Sequence, residues 1–375
     1  MYYQDKITIV IGVVVIYTIR DYLQYYKNTS IKDVHWNAVD NMLCAILVYL
    51  PVKSFTGSKS MKEFYSYAQK FIDENKESMM VPTAYEVLEL AYDSPRYKSM
   101  KVSNWENTKT TELQFGAAVF RIGAETIITY KGTDYSFIGW IENFRLAYEY
   151  PTRTHSKAIE YLKNNVKLLG DKHIHIVGHS KGGNLAMVAA METNDRIFGR
   201  IQKIYNFDGP GFRKDEFIGE KYGKMSQKLV NVLPSGSIVG VLLNNENYTV
   251  VKSSGLAVEE HDLSNWNLFG ECFIEAKLSG VGNRLHESTT KGIENLDCCN
   301  MKEALETIFE SFEKDVTEDF SMSKDDIIRF IKNVKNIDPE VRKCIENIFE
   351  VLFKSNVTDE KKSFKLPWRR KNDTI

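Results

Sequence analysis

The feature that most constrains this chain is the run Ile174-His175-Ile176-Val177-Gly178-His179-Ser180-Lys181-Gly182-Gly183-Asn184-Leu185-Ala186. His173–Val177 is short and apolar and predicts a strand, and Asn184–Met191 predicts a helix. The turn between them fits G-x-S-x-G, in which a serine sits on a strained strand-to-helix bend. Bulky side chains two residues to either side of Ser180 would clash there, which is why glycine is demanded at 178 and 182. The hydroxyl would then stand at the carboxyl end of a sheet and at a helix N-terminus, where developing negative charge is favoured. The bland alternative is a glycine-rich turn with an idle serine, but a strand before the motif and a helix after it are the context that confirms it.

The surrounding sequence supplies a sheet for such a turn. Phe115–Arg121 and Glu125–Tyr130 are two β-rich runs around Ile122-Gly123-Ala124 and predict a hairpin. Ile201–Phe207, Leu229–Leu233 and Tyr248–Lys252 are further strand candidates, and Ile141–Leu146 and Ser156–Leu169 read as helices. Strands alternating with helices predict an α/β fold with a mostly parallel central sheet flanked by helices. Residues 20–105 read as a helical N-terminal part; apolar residues recur at helical spacing over Trp36–Leu47, and Pro51 stops them. The core would span 106–275, followed by a helical addition over 276–355 and a basic tail over 356–375. In that addition Met301–Lys314 and Lys324–Phe353 are amphipathic and fit either a supporting bundle or a lid. The tail, with Phe364 and Trp368 among its basic residues, fits either a solvated end or a contact with anionic lipid.

Charge and cysteine usage narrow the partners. Lys plus Arg number 49 and Asp plus Glu 50, so no global field draws the chain to nucleic acid or an anionic surface. Five cysteines in no zinc-binding spacing read as free thiols in a reducing, cytoplasmic compartment. The N-terminal run Ile7–Ile19 holds thirteen residues without a charge, short of the about 20 needed to span a bilayer. It is β-branched, which suits a strand or buried segment, and a short membrane anchor is the other reading. The start MYYQDK and the absence of an Ala-x-Ala site argue against a secretory signal. No P-loop, G-x-G-x-x-G or H-E-x-x-H is present, so no nucleotide, metal or other cofactor is expected.

Val177–Gly183 resembles the GHSxGG elbow of α/β-hydrolase-fold proteins. Thr129–Asp134, with Gly139-Trp140 and Asn143-Phe144, resembles the segment of class 3 (fungal-type) lipases that supplies the second oxyanion donor. More closely, the chain resembles the bacterial Mbeg1-like family of α/β-hydrolase proteins. Val39-Asp40-Asn41, Lys131–Asp134, Gly178–Gly183, Asn206–Phe212, Ser237–Gly240 and His261–Trp266 carry that resemblance. It covers roughly residues 20–270 and implies a fold and a hydrolase site, not a substrate. Lys181 departs from the apolar residue that lipases carry after the serine.

In this fold the catalytic residues follow in the order Ser, Asp or Glu, then His. Of seven histidines, only His261 and His286 come after Ser180. His261 follows a strand candidate in a loop-like segment and is the expected general base; His286 lies where strand signals have faded. Asp208 ends the strand after the nucleophile and is the expected acid, at the sheet edge where ligands gather. Class 3 lipases carry their acid one strand later, where Pro234-Ser235-Gly236-Ser237 offers no carboxylate, and Asp262 adjoins His261 too closely for an easy orienting bond. By the resemblance, the backbone N–H groups of Thr133 and Lys181 would form the oxyanion hole. The expected activity is cleavage of a small-molecule or lipid acyl ester, with peripheral membrane contact at most. The competing reading, motivated by Lys181, is a catalytically silent binding or scaffold protein on the same fold.

Overall fold

The computed structural model describes residues 17–280, apart from 75–79, 111–112, 134–141, 144, 147, 168–169 and 256. Most of the expected segment 276–355, the whole basic tail, and His286 with them lie outside the described residues. So do Ile141 and Phe144 of the expected helix Ile141–Leu146.

The centre is an eight-stranded sheet whose strands lie in chain order: β1 (Phe55–Ser60), β2 (Lys101–Lys109), β3 (Gln114–Ile122), β4 (Glu125–Tyr130), β5 (His173–His179), β6 (Ile201–Phe207), β7 (Leu229–Pro234) and β8 (Tyr248–Val251). The pairs from β1 to β4 are antiparallel, and those from β4 to β8 are parallel. The expected hairpin is β3–β4, with Ile122 paired to Glu125 and Gly123 at φ +58° in the two-residue turn. The mixed, mostly parallel sheet flanked by helices is the fold class the sequence predicted.

Two strands were not legible. Residues 20–105 read as helical, yet Phe55–Ser60 and Lys101–Lys109 extend the sheet. β1 is the edge strand, largely exposed, and β2 is rich in polar residues, so neither shows the apolar alternation by which a half-buried strand is recognised.

Helices cover both faces, and period-2 alternation in the strands decides which residue meets which layer. On one face Ala118, Phe120, Ile122, Val177 and Phe207 pack with the N-terminal helices α1 (Ile19–Tyr26), α2 (Ala38–Leu47), α3 (Met61–Ala68) and α4 (Met80–Ala91). On the other, Ala117, Val119, Ile174, Ile176 and Ile204 pack with α5 (Arg153–Asn165) and α6 (Lys181–Met191). Strands laid down in one direction with right-handed crossovers place the crossover helices on a single face. The opposite face must then be covered from elsewhere in the chain, and the N-terminal helices cover it.

A buried carboxylate pins that N-terminal layer. Asp40 lies in α2, whose N-cap Asn37 accepts from Val39 N and Asp40 N. Asp40 Oδ2 accepts from Arg96 Nη2 at 2.6 Å and Oδ1 from Arg96 Nε at 3.0 Å. Oδ1 also accepts from the Tyr97 hydroxyl at 2.6 Å and the Tyr22 hydroxyl at 3.2 Å. Burial pushes both phenols up, so they remain donors. The network joins α1, α2 and the turn before β2.

The expected membrane anchor over Ile7–Ile19 finds no support in the described end of that run. Among the described residues no helix is long and apolar enough to cross a membrane. The end of the run is folded into the protein instead. Leu268 N donates to Tyr17 O at 2.7 Å, Thr18 caps α1, and Ile19 is wholly buried in the core. A side chain already buried against protein has no apolar surface left to offer lipid; residues 1–16 lie outside the described residues. Of the cysteines described, Cys44 is buried and Cys272 exposed, and both are free thiols.

Asp40→Ala leaves the Arg96 guanidinium buried without its counter-charge. Urea unfolding should show a loss of roughly 3–5 kcal/mol for this variant; a loss under about 1 kcal/mol would mean that the pair does not pin the layer.

Candidate functional site

Strand β5 runs into α6 through Ser180, which stands at φ +57° and ψ −134°. A non-glycine residue held there stores on the order of 1–3 kcal/mol of strain. Two main-chain bonds hold it: Ser180 N donates to Phe207 O at 2.9 Å, and Gly183 N donates to Ser180 O at 2.8 Å. The flanking glycines are steric necessities. A Cβ on Gly178 would lie 1.9 Å from Gly182 O, and one on Gly182 would lie 2.2 Å from Tyr130 O. The helix therefore starts directly against the ends of β4 and β5.

Asp208 closes β6 at φ +50°, with its N–H donating to Val232 O at 2.8 Å. Its fully buried carboxylate is partnered on both oxygens. Oδ1 accepts from the Ser237 hydroxyl and, at 3.0 Å, from Gly240 N. Oδ2 lies 2.6 Å from His261 Nδ1. A carboxylate accepts, so Nδ1 carries the hydrogen and Nε2 is left as the basic nitrogen. Asp262 faces elsewhere: Oδ1 accepts from Ser264 N and Oδ2 from the Thr83 hydroxyl at 3.4 Å. Burial pushes the Asp262 carboxyl above the usual carboxylate range.

The loop that carries His261 is fastened at successive residues. Glu260 Oε2 accepts from Ser235 Oγ and from Gly236 N, both at 2.7 Å, and Trp266 Nε1 donates to Glu260 O at 2.8 Å. His261 O lies 2.9 Å from His179 Nε2. Because a carbonyl can only accept, Nε2 of His179 bears the hydrogen, and its Nδ1 accepts from the Tyr49 hydroxyl at 2.8 Å. Burial, reinforced by His261, holds His179 well below its ordinary value, hence neutral. Chain order set His179 aside as a base, and it is not the residue paired with Asp208. Its actual place is between α2 and the His261 loop. The signal was there to be read: an imidazole at the buried end of an apolar strand needs two partners.

On the other side of Ser180, Gly132 follows β4. A Cβ there would lie 2.1 Å from the Tyr49 hydroxyl, 2.6 Å from His179 O and 3.0 Å from Ser180 Cβ. The Thr133 hydroxyl donates to Asn143 Oδ1 at 3.0 Å. Asp134 and the rest of 134–141, with the Gly139-Trp140 of the resemblance, lie outside the described residues. Lys181, expected to contribute only its N–H, has a buried side chain. Its Nζ donates to Gln114 O at 3.0 Å, Gln114 Oε1 at 2.6 Å and Glu142 Oε2 at 2.5 Å. Nothing in the sequence separation of 114, 142 and 181 announced that contact. Among the described residues, no three His, Cys, Asp or Glu side chains cluster as a metal site.

A model of the Mbeg1-like family matches residues 91–310, more than half of the chain and inclusive of Ser180, Asp208 and His261. The chain belongs to the Mbeg1-like family. Its architecture is accordingly an α/β-hydrolase-like one. No curated protein matches the sequence. Among solved structures, one described as the crystal structure of M37 lipase is 14% identical, with a TM-score of 0.38 over 84% of this chain and 98% of that one. No residue role follows from a likeness so distant.

Behind α6 a second histidine ties the Mbeg1-like core together. Thr152 N donates to His155 Nδ1 at 3.0 Å, so His155 Nε2 carries the hydrogen and donates to Asn184 Oδ1 at 2.7 Å. Asn184 Nδ2 in turn donates to Pro210 O and Gly211 O, in the loop after Asp208. Burial, against the pull of Asn184, brings His155 down to about 4. Below its unfolded value of about 6.5 the unfolded chain binds a proton that the folded one does not, so stability falls as pH drops from there toward 4. Between pH 7 and pH 5 this group should remove about 2 kcal/mol. Urea unfolding at both pH values, wild type against His155→Gln, should show that difference; equal pH dependence in the two proteins would exclude it.

Proposed function

We propose that the protein is a serine hydrolase that cleaves acyl esters through an acyl-enzyme. The observation that carries this reading is the pairing of His261 Nδ1 with the buried Asp208 carboxylate at 2.6 Å, at the sheet edge where Ser180 occupies its strained turn. Asp208 fixes the imidazole's tautomer and stabilises the imidazolium. His261 Nε2 takes the Ser180 hydroxyl proton as Oγ bonds to the ester carbonyl carbon. The oxyanion is held by the N–H groups of Lys181 and Thr133. Collapse expels the alcohol, which leaves with the proton from His261. Water, deprotonated by the same nitrogen, then attacks the acyl-enzyme and releases the acid. The substrate class is an acyl ester, small or lipid.

The arrangement around the pair supports this assignment. Ser237 and Gly240 satisfy the second oxygen of Asp208, so Oδ2 is reserved for the imidazole. The carbonyl bond from His179 and the Glu260 contacts hold the imidazole's backbone, as a base must be held for proton transfer.

A fluorophosphonate probe tests the reading. The intact protein should be labelled, Ser180→Ala should not, and Asp208→Asn should react on the order of 10³–10⁴-fold more slowly. Folded intact protein that resists the probe would sink the assignment in favour of a silent fold.

A further inference from the structure

Lys181 Nζ is nearly inaccessible to solvent and makes three bonds: to Gln114 O, to Gln114 Oε1 and to Glu142 Oε2. Glu142 Oε1 is occupied separately, accepting from the Thr154 hydroxyl at 2.5 Å and from Gln114 N at 3.3 Å. An ammonium donates and never accepts. It therefore settles which way the Gln114 side-chain amide faces, with the oxygen toward Lys181 and the nitrogen away. That nitrogen donates to Gly132 O at 3.3 Å.

The Gly132–Thr133 peptide is trans and planar, so a carbonyl aimed at Gln114 sends the Thr133 N–H in the opposite direction. Among the described residues neither this N–H nor that of Lys181, the first of α6, has a hydrogen-bond acceptor. Gly132 itself lies against Ser180, where a Cβ would approach the serine Cβ to 3.0 Å. The side chain of one expected oxyanion donor is thus linked, through one glutamine, to the peptide that carries the other.

We propose that Lys181, acting through Gln114, is the positioning residue of the oxyanion hole: it holds the Gly132–Thr133 peptide with its N–H turned toward the acyl oxygen. This rests on the serine-hydrolase reading and deepens it. It gives a purpose to the cation at the position after the nucleophile. It also explains why Glu142 is buried beside it, since a lone charge there would be untenable. An ion pair that only filled the interior would affect stability and leave turnover alone.

The experiment compares wild type, Gln114→Met and the paired variant Lys181→Gln/Glu142→Gln in the full-length protein. Gln114→Met keeps the length of the side chain and the backbone acceptor of Lys181, but cannot donate to Gly132. The paired variant leaves no unpaired buried charge, and its neutral amide no longer dictates how Gln114 faces. Fluorophosphonate labelling and hydrolysis of a short p-nitrophenyl ester should both slow by about tenfold to a hundredfold in each variant. KM and the pH midpoint of labelling should stay within about twofold and a few tenths of a unit, because the Asp208–His261 pair is untouched. A crystal structure of Gln114→Met should show the Gly132 carbonyl turned from its wild-type direction. Wild type that labels while both variants keep its rate overturns the positioning role and leaves the hydrolase reading standing. An unchanged Gly132 carbonyl in Gln114→Met overturns it by structure alone. Folded wild type that does not label overturns the hydrolase reading and this proposal together.

Discussion

Helix α6 meets the ends of β4 and β5 at a distance that only glycine tolerates. A Cβ on Gly178 would sit 1.9 Å from the Gly182 carbonyl oxygen, and one on Gly183 would sit 1.9 Å from Asn206 Oδ1. Contacts this close leave no room for the chain to relax, so Ser180 is held in a backbone conformation it would not adopt alone. The same closeness brings Gly132 against Ser180 and Asn206 under the turn, where its amide nitrogen donates to Gly209 O at 3.1 Å. The loops after β4, β5 and β6 consequently converge on one point at the sheet's carboxyl edge.

Topology then decides what else can reach that point. A sheet built in chain order, with its crossovers on one face, leaves the other face to the N-terminal helices. One result is that Tyr49, just beyond α2, lies beneath the turn and bonds His179. The buried Asp40–Arg96 pair fixes α2 in place, so a contact far from Ser180 in sequence bears on how the His261 loop is held. Packing and site geometry are coupled through that helix.

Buried charge near the site is balanced locally. Lys181 faces Glu142, and the Asp208 carboxylate is satisfied by Ser237, Gly240 and His261. Each of these groups would be costly if left alone in a low-dielectric interior. His155 and His179 solve the same problem differently, by remaining neutral and donating from one nitrogen while accepting at the other. Their neutrality lets them act as rigid cross-links between loops, and it ties the stability of the fold to pH.

Local patterns in the sequence determined the elbow, the β3–β4 hairpin, the parallel strands and the placement of Asp208 and His261 after Ser180, because those features depend on nearest neighbours and on strand order. β1 and β2 escaped notice because one is a largely exposed edge strand and the other is rich in polar residues, so neither has an apolar alternation to read. The roles of His179, Tyr49 and the Lys181–Gln114–Glu142 cluster were decided only by tertiary structure. Residues 114, 142 and 181 become partners when three separate segments meet at one sheet edge. A side chain's hydrogen-bond partners are set by that meeting, and no spacing along the chain encodes it.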